Sequence, residues 1–334
     1  MRIRIISDLH IDINERFPFT LRDTEKVKER DDFAIVAGDV SGNVKLTARW
    51  MKENVKRGVF IVGNHDPAYN NLGWTIGKQK EYLHERFPLD ADVTFMDESV
   101  GVMSKPIPGT NALVVGSTLY TDYLYADENR IAALEDGNKR RKEYGEDEIT
   151  MEEANMASGA RGLNDFRWGH VEDEFDDRGL SQRTVRPDDY KKWFNSTIAK
   201  IDEIARSNAD KDIVVVTHHC PSPKCIAERY VSSGMNASYV SDLEGFILKH
   251  PNIKAWCCGH VHSVKITEIG DQGQLLVCNP RGYERDMESD GWNPNTFLDT
   301  DTWKVVQEPY ANRRLDNARK KFRDEFMKYA PLFF

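Results

Sequence analysis

What this sequence has little of narrows it first. No apolar run approaches the length of a membrane span, and Arg2 and Arg4 interrupt the first hydrophobic stretch, so no signal-peptide core is present either. Neither a membrane protein nor a secreted one is expected. Basic charge is also short: 46 Lys and Arg stand against 55 Asp and Glu, for a formal net charge of −9. That speaks against the broad basic face that binds nucleic acid by counterion release. Small phosphorylated molecules stay open as partners, because bound metal ions supply positive charge that residue counting misses. The five cysteines, Cys220, Cys225, Cys257, Cys258 and Cys278, are odd in number and lack zinc-finger spacing. Disulfides are therefore not expected, Cys257 and Cys258 read as core residues, and a reducing cytoplasm is the expected compartment. Internal repeats and low-complexity tracts are absent.

What is present suffices for a core. Of 334 residues, 40% are hydrophobic and 30% charged, which fits one domain spanning 1–334. Five short apolar runs end in polar clusters: residues 2–7 lead into Asp8-Leu9-His10, 33–37 into Gly38-Asp39, and 59–62 into Gly63-Asn64-His65-Asp66. Downstream, 213–217 lead into His218-His219, and 253–258 into Gly259-His260-Val261-His262. Runs this short and this rich in β-branched residues read as buried strands. Their carboxyl ends are where open α/β sheets bind ligands. The expectation is that one edge of one sheet gathers all five clusters.

Between these runs, Val44, Ala48, Met51 and Val55 have helical spacing with Gly58 as the stop, a strand–helix–strand unit that predicts parallel pairing. A further helix is predicted over 75–87. The short runs within 93–115 suggest strands of a second, more antiparallel sheet. Residues 121–187 are crowded with charge and read either as a solvated helical insertion or as a lid. Tyr190, Phe194, Ile198, Ile201 and Ala205 predict a helix, and Ser241 to Glu244 have the form of a capping box opening another. Residues 264–269 and 275–278 read as a hairpin, and 312–330 as a C-terminal amphipathic helix.

Each cluster alone is a weak signal; all five in order are a strong one. Together they resemble the signature blocks of the calcineurin-like metallophosphoesterases, spanning residues 8–262. The resemblance implies an α/β fold of two mixed β-sheets packed as a sandwich and flanked by helices. It also implies one metal held by Asp8, His10, Asp39 and His262, and a second held by Asp39, Asn64, His218 and His260, with Asp39 bridging. Carboxylate, imidazole and amide donors suit divalent Mn, Fe, Zn or Ni, and the absence of cysteine from the blocks disfavours a closed structural zinc site there. Such a pair lowers the pKa of a bridging water and clamps phosphoryl oxygens during in-line attack.

His65 is left over from ligand duty and is assigned to the leaving group as general acid. Asp66 either orients His65 or a ligand histidine, or is a helix N-terminal carboxylate. His219 either faces substrate or caps the following loop, while His84, His170 and His250 are read as structural or surface residues. Residues 163–167 and 278–283 resemble segments of a bacterial and phage subgroup. Within them Asn164, Asp165, Arg167, Arg281 and Tyr283 are candidates for substrate contact, the arginines by bidentate phosphate recognition, with ordinary salt bridges as the alternative for both. The function implied is dimetal hydrolysis of a small phosphodiester or phosphomonoester. A nuclease acting on DNA or RNA ends is the alternative, and a non-catalytic scaffold is disfavoured because every ligand position is filled.

Overall fold

The five apolar runs are strands, but they divide between two sheets rather than lining one. The computed structural model describes residues 1–14, 33–68, 73–172, 182–283 and 291–310. In the first half lie β1 (Arg2–Ile6), β2 (Phe33–Ala37), α1 (Val44–Asn54), β3 (Gly58–Ile61), α2 (His65–Ala68), α3 (Ile76–Arg86), β4 (Val93–Phe95), β5 (Ser104–Pro106), β6 (Ala112–Gly116), α4 (Glu128–Glu143), α5 (Met151–Gly162) and α6 (Asp165–Trp168). Then come β7 (His170–Glu172), β8 (Gln182–Thr184), α7 (Pro187–Ser207), β9 (Asp212–Val216), α8 (Glu244–Leu248), β10 (Ile253–Cys258), β11 (Lys265–Ile269), β12 (Gln274–Cys278), β13 (Thr296–Asp299) and β14 (Lys304–Gln307).

One sheet has the order β14-β13-β1-β2-β3-β4, parallel from β1 to β4 with β13 antiparallel to both β1 and β14, and the other has the order β11-β12-β10-β9-β6-β5, parallel in its middle with an antiparallel strand at each edge. Both are mixed. Side-chain alternation explains how they stack: Ile5, Ile35 and Val59 meet Val214, Val216, Cys257 and Val277 in a core between the sheets. The alternate residues Ile6, Val36 and Phe60 face α1 and α3, while Val215, Trp256 and Leu276 face α7 and α8. Strands buried on both faces need apolar residues at every position, which is why the runs are continuous.

Several local expectations need correcting. Val93–Phe95 joins the first sheet, parallel to β3, instead of opening the second, and the second sheet is parallel over β6, β9, β10 and β12. α1 ends at Asn54, and Gly58 is the first residue of β3, where a Cβ would stand 2.1 Å from the Ala34 carbonyl oxygen. Close pairing, not helix termination, requires that glycine. Ser241 caps no helix: its hydroxyl donates to Asp122 at 3.0 Å, and the five-residue α8 has no side-chain cap. β13 and β14 were not anticipated, since each offers only two apolar residues.

The charged segment 121–187 divides in character. α4 buries no residue and is a solvated helix, whereas α5, opened by a Thr150–Glu153 capping box, buries Asn155 and Gly159. The predicted helix over 312–330 lies outside the described residues. Among those described, no helix is long and apolar enough to cross a membrane. Ile35→Ala, which empties a fully buried position between the sheets, should destabilise the fold by about 2–5 kcal/mol in urea titration.

Candidate metal centre

At their carboxyl ends the strands do not continue straight. The backbone turns left-handed at Asp8 (φ 51°), His10 (42°), Asp39 (54°), His260 (69°) and His262 (46°), which for residues with a Cβ costs of order 1 kcal/mol or more each. The turns aim these side chains at one another. Neighbouring glycines make the room: a Cβ on Gly63 would fall 2.0 Å from Asp39 Oδ1, and one on Gly259 would fall 2.3 Å from Asp8 Oδ2.

From the first sheet come Asp8, His10, Asp39 and Asn64; from the second come His218, His260 and His262. His10 Nε2 and His262 Nε2 are 3.0 Å apart, with Asp8 Oδ1 3.3 Å from the latter and Asp39 Oδ2 3.8 Å from the former. Around the other side of Asp39, Oδ2 is 3.3 Å from His218 Nε2, which in turn is 3.0 Å from Asn64 Oδ1. His260 donates its backbone N–H to the Asp8 carboxylate at 3.0 Å, while its Nε2 is buried with no hydrogen-bond partner among the described residues. Three triads of these groups, Asp8-His10-His262, His10-Asp39-His65 and Asp8-Asp39-His218, each bring their donor atoms within 4.8 Å.

Metal ions fit this arrangement on chemical grounds. Burial, only partly offset by the charge of Asp39, pulls His10 well below its ordinary pKa, so its imidazole is neutral and turns a lone pair toward its neighbours. Lone pairs and carboxylates facing one another in a buried space are stable only around a cation. For His218, burial is overcome by the Asp39 charge, and its pKa is raised to about 9.

Other side chains hold the donors. The two Asp165 carboxylate oxygens, at 3.0 and 3.1 Å, share the hydrogen bond donated by Asn64 Nδ2, which turns the Asn64 oxygen toward His218. Ala37 O lies 2.9 Å from His218 Nδ1; with the ring proton on that nitrogen, Nε2 is left as the donor. The Asp66 carboxylate makes its hydrogen bonds to groups other than the His65 ring and does more than serve as a helix-end charge. It accepts from the backbone N–H of Asp39 (2.7 Å), Gly63 (2.9 Å) and Ser41 (3.3 Å) and from the Thr47 hydroxyl (2.9 Å), and burial followed by the Asp39 charge pushes its pKa up to about 7.

A cavity of about 450 Å³ opens over the cluster, lined at its floor by Asp39, Asn64, His65, His260 and His262. The walls include the 162–165 segment, Ile226, Tyr230, Met235, Tyr239 and Tyr283. His65, half-buried, has its backbone N–H on Asp39 Oδ1 at 2.9 Å and its Nε2 3.2 Å from the Tyr283 hydroxyl. Asn164, Asp165 and Tyr283 therefore reach the cavity. Three other predicted contacts do not line it. Arg167 is exposed, Arg281 is buried against the 8–10 turn with Nη1 donating to Leu9 O at 3.3 Å, and His219 is wholly buried with its ring 4.2 Å from that of His260. Sequence reading missed Tyr239, which stacks on His260 at 4.7 Å and 24°. The loop that carries it has no periodicity to reveal it.

A protein-family model described as calcineurin-like phosphoesterase matches residues 1–264. No curated protein matches the chain. Among solved structures, a phosphopantetheinyl hydrolase from Mycobacterium tuberculosis is similar in fold, with a TM-score of 0.55 and 15% identity, over 92% of this chain and 97% of that one. A dimetal phosphatase from Danio rerio gives a TM-score of 0.44 at 12% identity over 83% and 86% of the respective chains.

Two outcomes are expected. In chelator-stripped protein, the His218–Asp39 pair stabilises the fold fully below about pH 6.5 and loses that contribution as pH rises through about 9, and the raised Asp66 acts in the same direction at lower pH. The Tm of the stripped form should fall across that window in differential scanning fluorimetry; a flat profile would contradict the ion pair. Asp165→Ala, which releases the Asn64 amide, should weaken one class of metal site about 10–100-fold in calorimetric titration.

Proposed function

The chain belongs to the calcineurin-like phosphoesterase family, and from that premise we propose that it hydrolyses a small phosphodiester or phosphomonoester in the cavity floored by Asp39 and His65. It is a metal-dependent phosphoester hydrolase. The observation that carries the finer reading is the convergence of seven residues with oxygen or nitrogen donors, buried Asp39 among them, with one further histidine facing the cavity beside them.

In this reading Asp8, His10, Asp39 and His262 hold one divalent ion, and Asp39, Asn64, His218 and His260 hold the other. Mn, Fe, Zn and Ni all suit such donors. When bound, the pair supplies positive charge to phosphoryl oxygens and lowers the pKa of water. The chain's own residues do the rest. Asp165 keeps the Asn64 oxygen turned inward, Ala37 O selects the His218 tautomer, and Asp66 fixes the backbone of Asp39 and Gly63. His65 is assigned to the leaving oxygen as general acid, and the Tyr283 hydroxyl, 3.2 Å from its Nε2, sets the direction of that nitrogen.

The cavity also bears on substrate. Leu163, Ile226, Tyr230, Met235 and Tyr239 form an apolar and aromatic wall that excludes water and suits an organic alcohol portion. No Lys or Arg is among the described residues lining it. With a net charge of −9, this favours a small ester over a nucleic-acid strand, which needs a row of cations along its backbone.

With Mn-loaded protein and bis-p-nitrophenyl phosphate, hydrolysis should depend on metal and vanish in Asp39→Asn. Inertness of the loaded protein toward every aryl phosphate mono- and diester would sink the proposal. His65→Ala should keep its metal content, by elemental analysis, while losing about 10²–10⁴-fold in kcat. If metal content fell together with the rate, His65 would instead be a ligand.

A further inference from the structure

Four of the five cysteines meet in space although they are far apart in sequence. β10 and β12 are parallel neighbours with Cys258 opposite Cys278, so both side chains fall on the same face of the second sheet, the one turned to α7 and α8. Cys257, one residue earlier, faces the other way into the core between the sheets. The chain leaving β9 folds over the same face. It brings Cys220 there directly and Cys225 through a short 3-10 turn, Pro223–Cys225, capped by the Ser222 side chain. The four sulfurs all lie within 4.8 Å of one another, with Cys225 and Cys258 at 3.9 Å, and all four residues are at most 1% exposed. None is in a disulfide.

We propose that Cys220, Cys225, Cys258 and Cys278 bind one zinc ion in a closed tetrathiolate site, separate from the phosphoesterase centre. Tetrahedral zinc with Zn–S bonds of about 2.3 Å places its sulfurs about 3.8 Å apart, so the observed spread needs only a small contraction. Four thiols are a weak reason for this convergence. A thiol is a poor hydrogen-bond donor, and two of these share a single acceptor, Gly259 O, at 3.0 Å from Cys220 and 3.6 Å from Cys278. Binding releases the thiol protons, one from each protonated sulfur, and exchanges the two Gly259 contacts for bonds to the ion; no oxidant or reductant is required.

The position gives the site its role. Cys220 follows His218 by two residues, and Cys258 precedes His260 by two. An ion there ties the ends of β9, β10 and β12 and the following loop into one unit directly behind three of the donors of the other centre. It is a structural site, with no open position for substrate.

X-ray absorption at the zinc edge, on Asp39→Asn protein purified from zinc-supplemented cells and dialysed against EDTA, tests this without reference to activity. One zinc per chain with sulfur neighbours only, released by a mercurial reagent, is the expected result. Cys225→Ser should lose that zinc and melt at lower temperature, and Cys257→Ala should keep it. An all-sulfur site holding iron, zinc bound only through nitrogen and oxygen, or four free thiols with no retained metal would overturn the proposal. Should Cys225→Ser fail to fold, the spectrum of the parent protein still decides.

Discussion

A carboxylate as deeply buried as that of Asp39 is stable only if its surroundings return what water would have given it, and much of the molecule serves that end. The residue stands at the end of β2 in one sheet, yet His218, whose charge balances it, comes from β9 in the other. The two sheets must therefore stack at a fixed offset for the pair to form. The Ile5, Ile35, Val59, Val214 and Val216 packing between them sets that offset. Asp66 then holds the Asp39 backbone, and Gly63 keeps clear of its oxygen. Disturbing any of these leaves a buried anion short of a partner.

The same requirement makes the site a burden on the fold. Five donor-bearing residues hold left-handed backbone, and buried imidazoles crowd one another at the floor of the cavity. Natural sequences tolerate such local conflict where function repays it. The remaining core is conventional by comparison. Its strands are apolar at nearly every position and α1 and α7 are amphipathic, so the stability lost at the strand ends is recovered in the layers above and below.

This division explains what could be read from sequence. Strands buried on both faces leave uninterrupted apolar runs, so their ends, and the Asp, His and Asn placed there, stand out. Which sheet each strand joins does not stand out: β6 pairs with β9, about 100 residues away, and nothing local encodes that partner. Support from a distance was equally hidden. Asp165 looked like a substrate contact and lies on the Asn64 amide; Arg281 looked like a phosphate clamp and is buried against Leu9 O. The convergence of Cys220, Cys225, Cys258 and Cys278 has no short-range spacing, because strand pairing and a crossing loop create it.

The Asn64–Asp165 contact has a consequence for how this scaffold can diversify. Asp165 and the adjoining wall residues Gly162 and Leu163 belong to one short stretch at the junction of α5 and α6, in the charged segment 121–187. A segment of that composition would ordinarily be free to lengthen, shorten or be exchanged. Here its inner end orients Asn64, one of the proposed metal donors. Remodelling the segment to admit a larger ester must preserve one carboxylate at one place, or the new pocket will open onto a weakened reaction centre. The outer helix α4, with nothing buried, carries no such obligation, and variation has room there first.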